Sequence, residues 1–356
     1  MWYEIFMPQL AAPRPSRPSG ASVPARAAGS SGRGFEIFDA VRVRRHGYVS
    51  ATVAVAPAAA PDSGRMVVAI RQYVHFAPPK KNHSRRLRYG MFYQPQIDAL
   101  DLPLSRLPAA FDGLTILHLS DLHVTRWTRR LRQWREALND LQPDLLIITG
   151  DLGHRSWLWR KAFPSVVRLL DAVRPRLGCY FILGNHDSPK FGPALAETGR
   201  VFLENEAVTL ERGQQRLVLV GLKQHRRIDT DFPAALRHVN PADCKIVLMH
   251  YPDFIHHAAA VQADLCLAGH THGGQICYPS GRPIIRHDVL PQELCTGIHK
   301  VNGAWMVVNR GIGVAGVRLR LFCPPQAILL TLRCPSKAPQ TQAGLPARQG
   351  CRAKVA

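Results

Sequence analysis

Cys179-Tyr180-Phe181-Ile182-Leu183-Gly184-Asn185-His186-Asp187 is an apolar run that stops at a glycine and passes straight into an amide, an imidazole and a carboxylate. Five apolar residues in a row read as a buried strand of a parallel sheet, covered on both faces. The glycine marks where the strand stops and the backbone turns sharply. The polar triplet then falls at the carboxyl end of the strand, the edge at which open α/β sheets place their ligands. Alone this is a weak signal, because any surface turn can hold these residue types.

Four other apolar runs finish the same way. Leu114-Thr115-Ile116-Leu117-His118-Leu119 ends in Ser120-Asp121-Leu122-His123, and Asp144-Leu145-Leu146-Ile147-Ile148-Thr149 ends in Gly150-Asp151. Further on, Lys245-Ile246-Val247-Leu248-Met249 ends in His250, and Ala263-Asp264-Leu265-Cys266-Leu267-Ala268 ends in Gly269-His270-Thr271-His272. Packing gives no reason for five strands to finish in metal-ligand residue types. Asp121, His123, Asp151, Asn185, His250, His270 and His272 offer carboxylate, imidazole and amide donors, a set suited to Mn, Fe or Zn. Seven donors exceed the needs of one ion and serve two if a carboxylate bridges them. Two ions about 3.5–4 Å apart can activate a water and hold both the attacking and the leaving oxygen of a phosphoryl centre.

These motifs, in this order, resemble the calcineurin-like metallophosphoesterase superfamily, over roughly residues 91–333. The Gly273-Gly274-Gln275 extension, Asn309-Arg310-Gly311-Ile312-Gly313 and Phe322-Cys323-Pro324-Pro325 resemble one bacterial branch. Members of that branch are often membrane-associated phosphodiesterases, some acting on lipid-linked pyrophosphates. The resemblance implies an α/β fold, a four-layer αββα sandwich. It implies that Asp121, His123 and His272 hold one metal and Asn185, His250 and His270 a second, with Asp151 bridging. A hydroxide between the metals would attack phosphorus in line. His186 would stabilise the transition state or protonate the leaving oxygen, with Asp187 as the partner that orients or charges its ring. The activity so implied is hydrolysis of a phosphodiester or pyrophosphate, on a lipid-linked or nucleotide substrate. The alternatives are a phosphomonoesterase and a catalytically silent metal-binding scaffold on the same fold.

The rest of the chain frames this domain. Residues 1–90 are read as a basic, low-complexity leader, mostly disordered, residues 91–335 as the metallophosphoesterase domain and 336–356 as a flexible tail. Within the leader Met66 to Phe76 could form one isolated strand. Arg44-Arg45 before Tyr48 to Ala60 has the layout of a twin-arginine export signal, but it starts too far into the chain and its apolar core is weak. The leader is expected to be a flexible tail or the product of an upstream start.

Helix-period apolar positions predict helices over Arg129 to Leu141 and Trp157 to Val173. Strands are predicted at Leu217 to Val220, Ala304 to Val308 and Ala327 to Leu332. Strands outnumber helices, so two packed sheets with helices outside are expected.

Of 356 residues, 46 are basic and 25 acidic, a net charge of +21 that favours anionic partners. It is spread along the chain with no nucleic-acid-binding signature, so no specific nucleic-acid partner is expected, and contact with an anionic membrane surface stays open. Eight cysteines without a Cys-x-x-Cys pair fit a reducing, cytoplasmic setting, although export and a bridge such as Cys323 to Cys334 stay open.

Several residues have two readings. His118 reads as a core histidine, His256 and His257 as solvent-facing, and His154 as a surface-loop residue or a substrate contact. Trp127, Trp157 and Trp159 read as helix packing or as an apolar rim. Arg310 approaches a phosphate or pairs within the sheet. The basic loop Leu222-Lys223-Gln224-His225-Arg226-Arg227 attracts an anion or is simply solvated.

Overall fold

The computed structural model describes residues 41–45, 48–53, 65–66, 94–284, 291–335 and 352–355, all within the unit Ile37–Ala356. Strands β1 (Val41–Arg45), β2 (Tyr48–Val53) and β3 (Arg65–Met66) precede the domain predicted from sequence. β4 (Gln96–Pro103) opens it, followed by β5 (Thr115–Leu119), helix α1 (Arg129–Asn139), β6 (Leu145–Thr149), α2 (Trp159–Leu170) and β7 (Cys179–Ile182). Next come α3 (Phe191–Ala196), β8 (Val201–Phe202), β9 (Glu206–Arg212), β10 (Gln215–Gly221), α4 (Phe232–Ala235) and β11 (Cys244–Leu248). The chain continues through α5 (Ile255–Ala260), β12 (Leu265–Ala268), β13 (Gly297–Val301), β14 (Ala304–Val308), β15 (Gln326–Arg333) and β16 (Arg352–Val355).

Two eight-stranded sheets result, ordered β2-β1-β4-β15-β5-β6-β7-β8 and β16-β9-β10-β11-β12-β14-β13-β3. β5, β6, β7 and β8 run parallel, as do β10, β11, β12 and β14. Each strand that carries a predicted ligand therefore ends at the same edge of its sheet.

Residue alternation distributes the runs between two faces. Ile116, Ile147 and Ile182 meet Leu219, Ile246 and Leu267 between the sheets. Leu117, Ile148 and Phe181 point the other way, under Leu131, Trp134 and Leu138 of α1 and Val166 and Leu169 of α2. On the second sheet Val218, Val247 and Cys266 pack beneath Phe232 of α4 and Ile255 and Ala258 of α5. With both faces covered, the strands need apolar residues at every position, which is why they read as unbroken runs. Each fully buried Leu or Ile contributes about 1.5–3 kcal/mol. The four layers are helices, sheet, sheet, helices, as expected from sequence.

Helix α1 begins where Thr128 Oγ1 accepts a hydrogen bond from Leu131 N at 3.2 Å. Its end, and that of α2, fall short of Pro143 and Pro175. Strand β4 escaped the sequence reading. Its alternating, half-polar pattern Gln96-Ile97-Asp98-Ala99 lacks an apolar run, yet it pairs along its whole length with β15. The regions read as leader and tail contain β1, which pairs with β4 and with β2, β3, which pairs with β13, and β16, which pairs with β9. Val41-Arg42-Val43 and Tyr48-Val49-Ser50-Ala51-Thr52-Val53 are rich in β-branched residues, and that propensity outweighs the small polar residues around them. Residues 67–76 of the single strand foreseen there lie outside the described residues, as does most of the leader.

Candidate metal centre

Strand ends deliver the side chains, and an unusual backbone aims them. Asp121, His123, Asp151, His270 and His272 all have left-handed φ values, of 49°, 43°, 55°, 68° and 52°. Non-glycine residues seldom adopt this region, and such strain collects at functional sites when neighbouring structure enforces it. Here the enforcement is a set of backbone bonds between adjacent strand ends. Asp121 N donates to Gly150 O at 3.0 Å, His123 N to Asp151 O at 2.9 Å and Gly269 N to His250 O at 3.2 Å. Glycine appears where the ends crowd together. A Cβ on Gly184 would collide with Asp151 Oδ1, and one on Gly269 with Ser120 Oγ and Asp121 Oδ2.

All seven predicted ligand residues meet there. His123 Nε2 lies 2.9 Å from His272 Nε2, and Asp121 Oδ1 lies 3.4 Å from His272 Nε2 and 3.9 Å from His123 Nε2. Asn185 Oδ1 sits between His250 Nε2 at 3.0 Å and His270 Nδ1 at 3.1 Å. Asp151 Oδ2 lies between the two sets, 3.4 Å from His123 Nε2 and 3.5 Å from His250 Nε2. Ligand atoms of Asp121, His123 and His272 are mutually within 4.8 Å, as are those of Asp121, Asp151 and His250. Asp121 thus belongs to both groups.

The electrostatics of this cluster suit a cation. Asp121 Oδ1 is buried and has no hydrogen-bond partner, a costly state for a carboxylate oxygen. Burial pushes its pKa up to about 6, with Asp151 adding and His250 opposing. Burial also pushes His123 down to about 3, so its ring is neutral and has a lone pair to give. For Asp151 burial acts upward but is overcome, chiefly by His250, and the carboxyl stays well below the ordinary range. His250 shows the mirror case. Burial acts downward, and Asp151 overcomes it and raises the imidazole to about 9. Two buried carboxylates and imidazoles converging on one spot, one oxygen without any donor, match the hard and borderline donor set of a divalent ion such as Mn, Fe or Zn.

A surrounding layer orients these donors. Ser120 Oγ donates to Asp121 Oδ2 at 2.6 Å, and His270 N donates to the same oxygen at 3.0 Å. His250 Nδ1 lies 2.8 Å from Thr149 O. Gln224 Oε1 accepts from His250 N at 2.6 Å and Tyr251 N at 2.9 Å. In the loop read from sequence as basic, this buried amide reaches the site, and His225 Nδ1 lies 3.4 Å from Gly184 O. The charged residues of the loop pair with nearby carboxylates, Lys223 with Glu204, Arg226 with Asp229 and Arg227 with Asp253.

Arg320 was also missed. Its buried guanidinium donates to Arg310 O at 2.7 Å, Gly313 O at 2.9 Å and His272 Nδ1 at 3.3 Å. The available signal was a lone cation inside the apolar run Leu319-Arg320-Leu321-Phe322.

The remaining singled-out residues divide cleanly. His186 is half-buried, its N–H donating to Asp151 Oδ1 at 2.9 Å and its ring 5.0 Å from that of His123. Asp187, foreseen as a partner of the His186 ring, uses its two oxygens otherwise. They accept from Gly153 N at 2.9 Å and Gly184 N at 3.0 Å, tying two ligand loops together. Burial lifts its pKa to about 7, with Asp151 adding. His154 is half-buried and places its ring 5.6 Å from that of His123. Arg310 pairs with Asp98 at 3.5 Å, the internal role of its two readings. Trp159 packs on Phe163 and Phe191, and Trp127 lies under Arg168, whereas Trp157 is 69% exposed. Cys323 is not bridged to Cys334, and its thiol donates to His272 O at 3.2 Å.

Residues 114–274 match the family model for calcineurin-like phosphoesterases. The phosphodiesterase YaeI of Escherichia coli is 30% identical over 230 residues, which cover 61% of this chain and 81% of that protein. The chain belongs to the calcineurin-like phosphoesterase family. Two more family members extend the comparison. The uncharacterised metallophosphoesterase YkuE of Bacillus subtilis is 27% identical over 64% of this chain and 82% of its own length. The UDP-2,3-diacylglucosamine pyrophosphatase LpxG of Chlamydia trachomatis is 25% identical over 67% and 89%. The calcineurin-like phosphoesterase match stops before Gly311, Gly313 and Arg320, which nonetheless pack against Asp121, Leu122 and His272. No helix among the described residues is long and apolar enough to cross a membrane.

Proposed function

We propose that the chain is a dinuclear metal-dependent hydrolase of phosphodiester or pyrophosphate bonds. The observation that carries this reading is the position of Asp151 Oδ2, nearly equidistant from His123 Nε2 and His250 Nε2. Asp121, His123 and His272 would hold one ion and Asn185, His250 and His270 the other, with Asp151 reaching both. When bound, two such ions supply an acidified water and positive charge for the phosphoryl oxygens.

The chain's own residues do the rest. Asp187 fixes the Gly153 and Gly184 loops and with them the place of His186, so it acts as a positioning residue. His186 stands half-exposed beside the donors and gives a proton, or a hydrogen bond, to the leaving oxygen. The named activities of the E. coli and C. trachomatis relatives, a phosphodiesterase and a pyrophosphatase, support a substrate with phosphorus between two groups. Lipid-linked and nucleotide esters both meet that description.

The test is turnover of bis-p-nitrophenyl phosphate against p-nitrophenyl phosphate by metal-stripped protein reloaded with Mn, Fe or Zn. Metal-dependent turnover that favours the diester supports the proposal. Preference for the monoester would replace it with a phosphomonoesterase, and failure to bind any metal would leave a silent scaffold.

A further inference from the structure

The large hydrophobic side chains left exposed among the described residues are Trp157, Ile228, Tyr278, Ile284 and Val317, between 49% and 82% accessible. Scattered singly, such residues need no explanation. These are not scattered. Trp157 lies in the loop after β6, Ile228 after β10, Tyr278 and Ile284 after β12, and Val317 after β14. All four loops leave the carboxyl ends of parallel strands, so all five side chains stand at the edge that carries the metal centre. The helical outer faces and the opposite edge contribute none among the described residues.

Charge at this edge leans positive. Among the described residues of the loops following β5, β6, β7, β8, β10, β11, β12 and β14 the exposed cations are Arg126, Arg155, Lys190, Arg282, Arg318 and the Asp229-paired Arg226, while the exposed carboxylates are those of Asp231 and Glu293, joined at this edge by Glu206 at the start of β9. Asp231 is already engaged as the cap of α4, accepting from Ala234 N. The carboxylates of Asp121, Asp151 and Asp187 are turned inward and buried. One pairing joins both features: the Arg155 guanidinium stands 5.0 Å over the Trp157 ring. An amphipathic ring beside a cation suits the boundary between lipid headgroups and acyl chains.

We propose that this edge docks on an anionic lipid surface, with Trp157, Ile228 and Val317 entering the headgroup layer and the surrounding cations meeting lipid phosphates. The inference rests on the phosphoesterase reading for its consequence, that the bond cleaved is carried by a lipid. Apolar points on separate loops, divided by a polar opening, fit an extended interface better than a groove for one peptide. Each cation near such a surface contributes about 1 kcal/mol, screened within a Debye length.

The experiment is flotation of the full-length chain with phosphatidylcholine vesicles, with and without phosphatidylglycerol, at low and high salt. The comparison is the triple variant Trp157→Ser, Ile228→Ser, Val317→Ser. The wild type is expected to bind the anionic vesicles at low salt, and the variant to bind at least about tenfold more weakly. The variant should turn over soluble bis-p-nitrophenyl phosphate as the wild type does. Independently, acyl-brominated lipid should quench wild-type fluorescence more than that of Trp157→Phe. Equal binding of wild type and triple variant, equal capture by neutral vesicles, or equal quenching of Trp157→Phe would each overturn the proposal. Anionic-vesicle binding without metal-dependent turnover would leave the docking surface standing and remove the phosphoesterase reading.

Discussion

Asp121 Oδ1 lies 3.4 Å from His272 Nε2, buried and without a hydrogen bond of its own, although the two residues leave strands of different sheets. A carboxylate oxygen kept dry and unpaired costs about 1–3 kcal/mol, so the fold is less stable here than it could be. That cost has a use only if a cation fills the gap. Asp121→Asn in chelator should melt no lower than the wild type. Added Mn at about a hundred times its Kd should raise the wild-type Tm by roughly 5–10 °C and leave the variant unmoved. A variant that melts well below the wild type in chelator would make Asp121 a structural residue.

His186 should separate chemistry from metal binding. Its ring has no place among the ligand groups, while its backbone N–H holds Asp151. His186→Ala should therefore keep its metal content and lose about 10²–10⁴ in kcat. If the ring protonates the leaving oxygen, the loss should shrink for p-nitrophenolate, which leaves without a proton, and grow for an alkyl ester. An equal loss on both substrates would assign the ring to charge stabilisation instead.

Gly269→Ala tests whether close approach of the two sheets builds the site. The added Cβ would meet Ser120 Oγ and Asp121 Oδ2, and both belong to the opposite sheet's first ligand loop. Overpacking of this kind costs about 1–3 kcal/mol. Metal affinity should fall together with turnover, by at least about tenfold, because the shift displaces Asp121 and His270 N, which donates to it. Unchanged metal titration in a variant of lowered Tm would show that the strain is absorbed elsewhere.

The convergence of the seven candidate residues was legible because they sit at the ends of unbroken apolar runs, where period and chemistry change within one or two positions. Asp121 and His272 needed no long-range information to be picked out. What could not be read were the residues whose roles exist only between different strand ends. Gln224 caps the His250 loop from a neighbouring strand end, and Arg320 reaches His272 from a segment after β14. Nothing in their local sequence separates them from solvated polar residues, apart from the apolar flanks of Arg320. Asp187 was found for its position, yet its neighbours are the amides of Gly153 and Gly184. Motif order cannot give that, because the bond to Gly153 joins two different strand ends. β4 was hidden for a related reason, as its pairing with β15 comes from the far end of the domain.

His118 supplies a pH dependence independent of metal. It lies between the sheets with Nε2 2.8 Å from Thr149 Oγ1 and Nδ1 buried without a partner. Protonation would place an unpaired N–H⁺ in the core, and burial accordingly lowers the pKa from 6.5 to about 3. Between those values the unfolded chain binds the proton and the folded chain does not, so stability falls as pH falls. The loss begins near 6.5, continues toward about 3, and amounts to about 1.4 kcal/mol per pH unit within that window. Going from pH 7 to pH 5 should therefore remove about 2 kcal/mol through this residue alone. His118→Gln keeps a polar group for Thr149 but has nothing to titrate. Urea unfolding of both proteins in chelator should give stabilities whose difference shifts by that amount in favour of the variant at pH 5. A difference that stays constant between the two pH values would mean that the proton reaches His118 in the folded state.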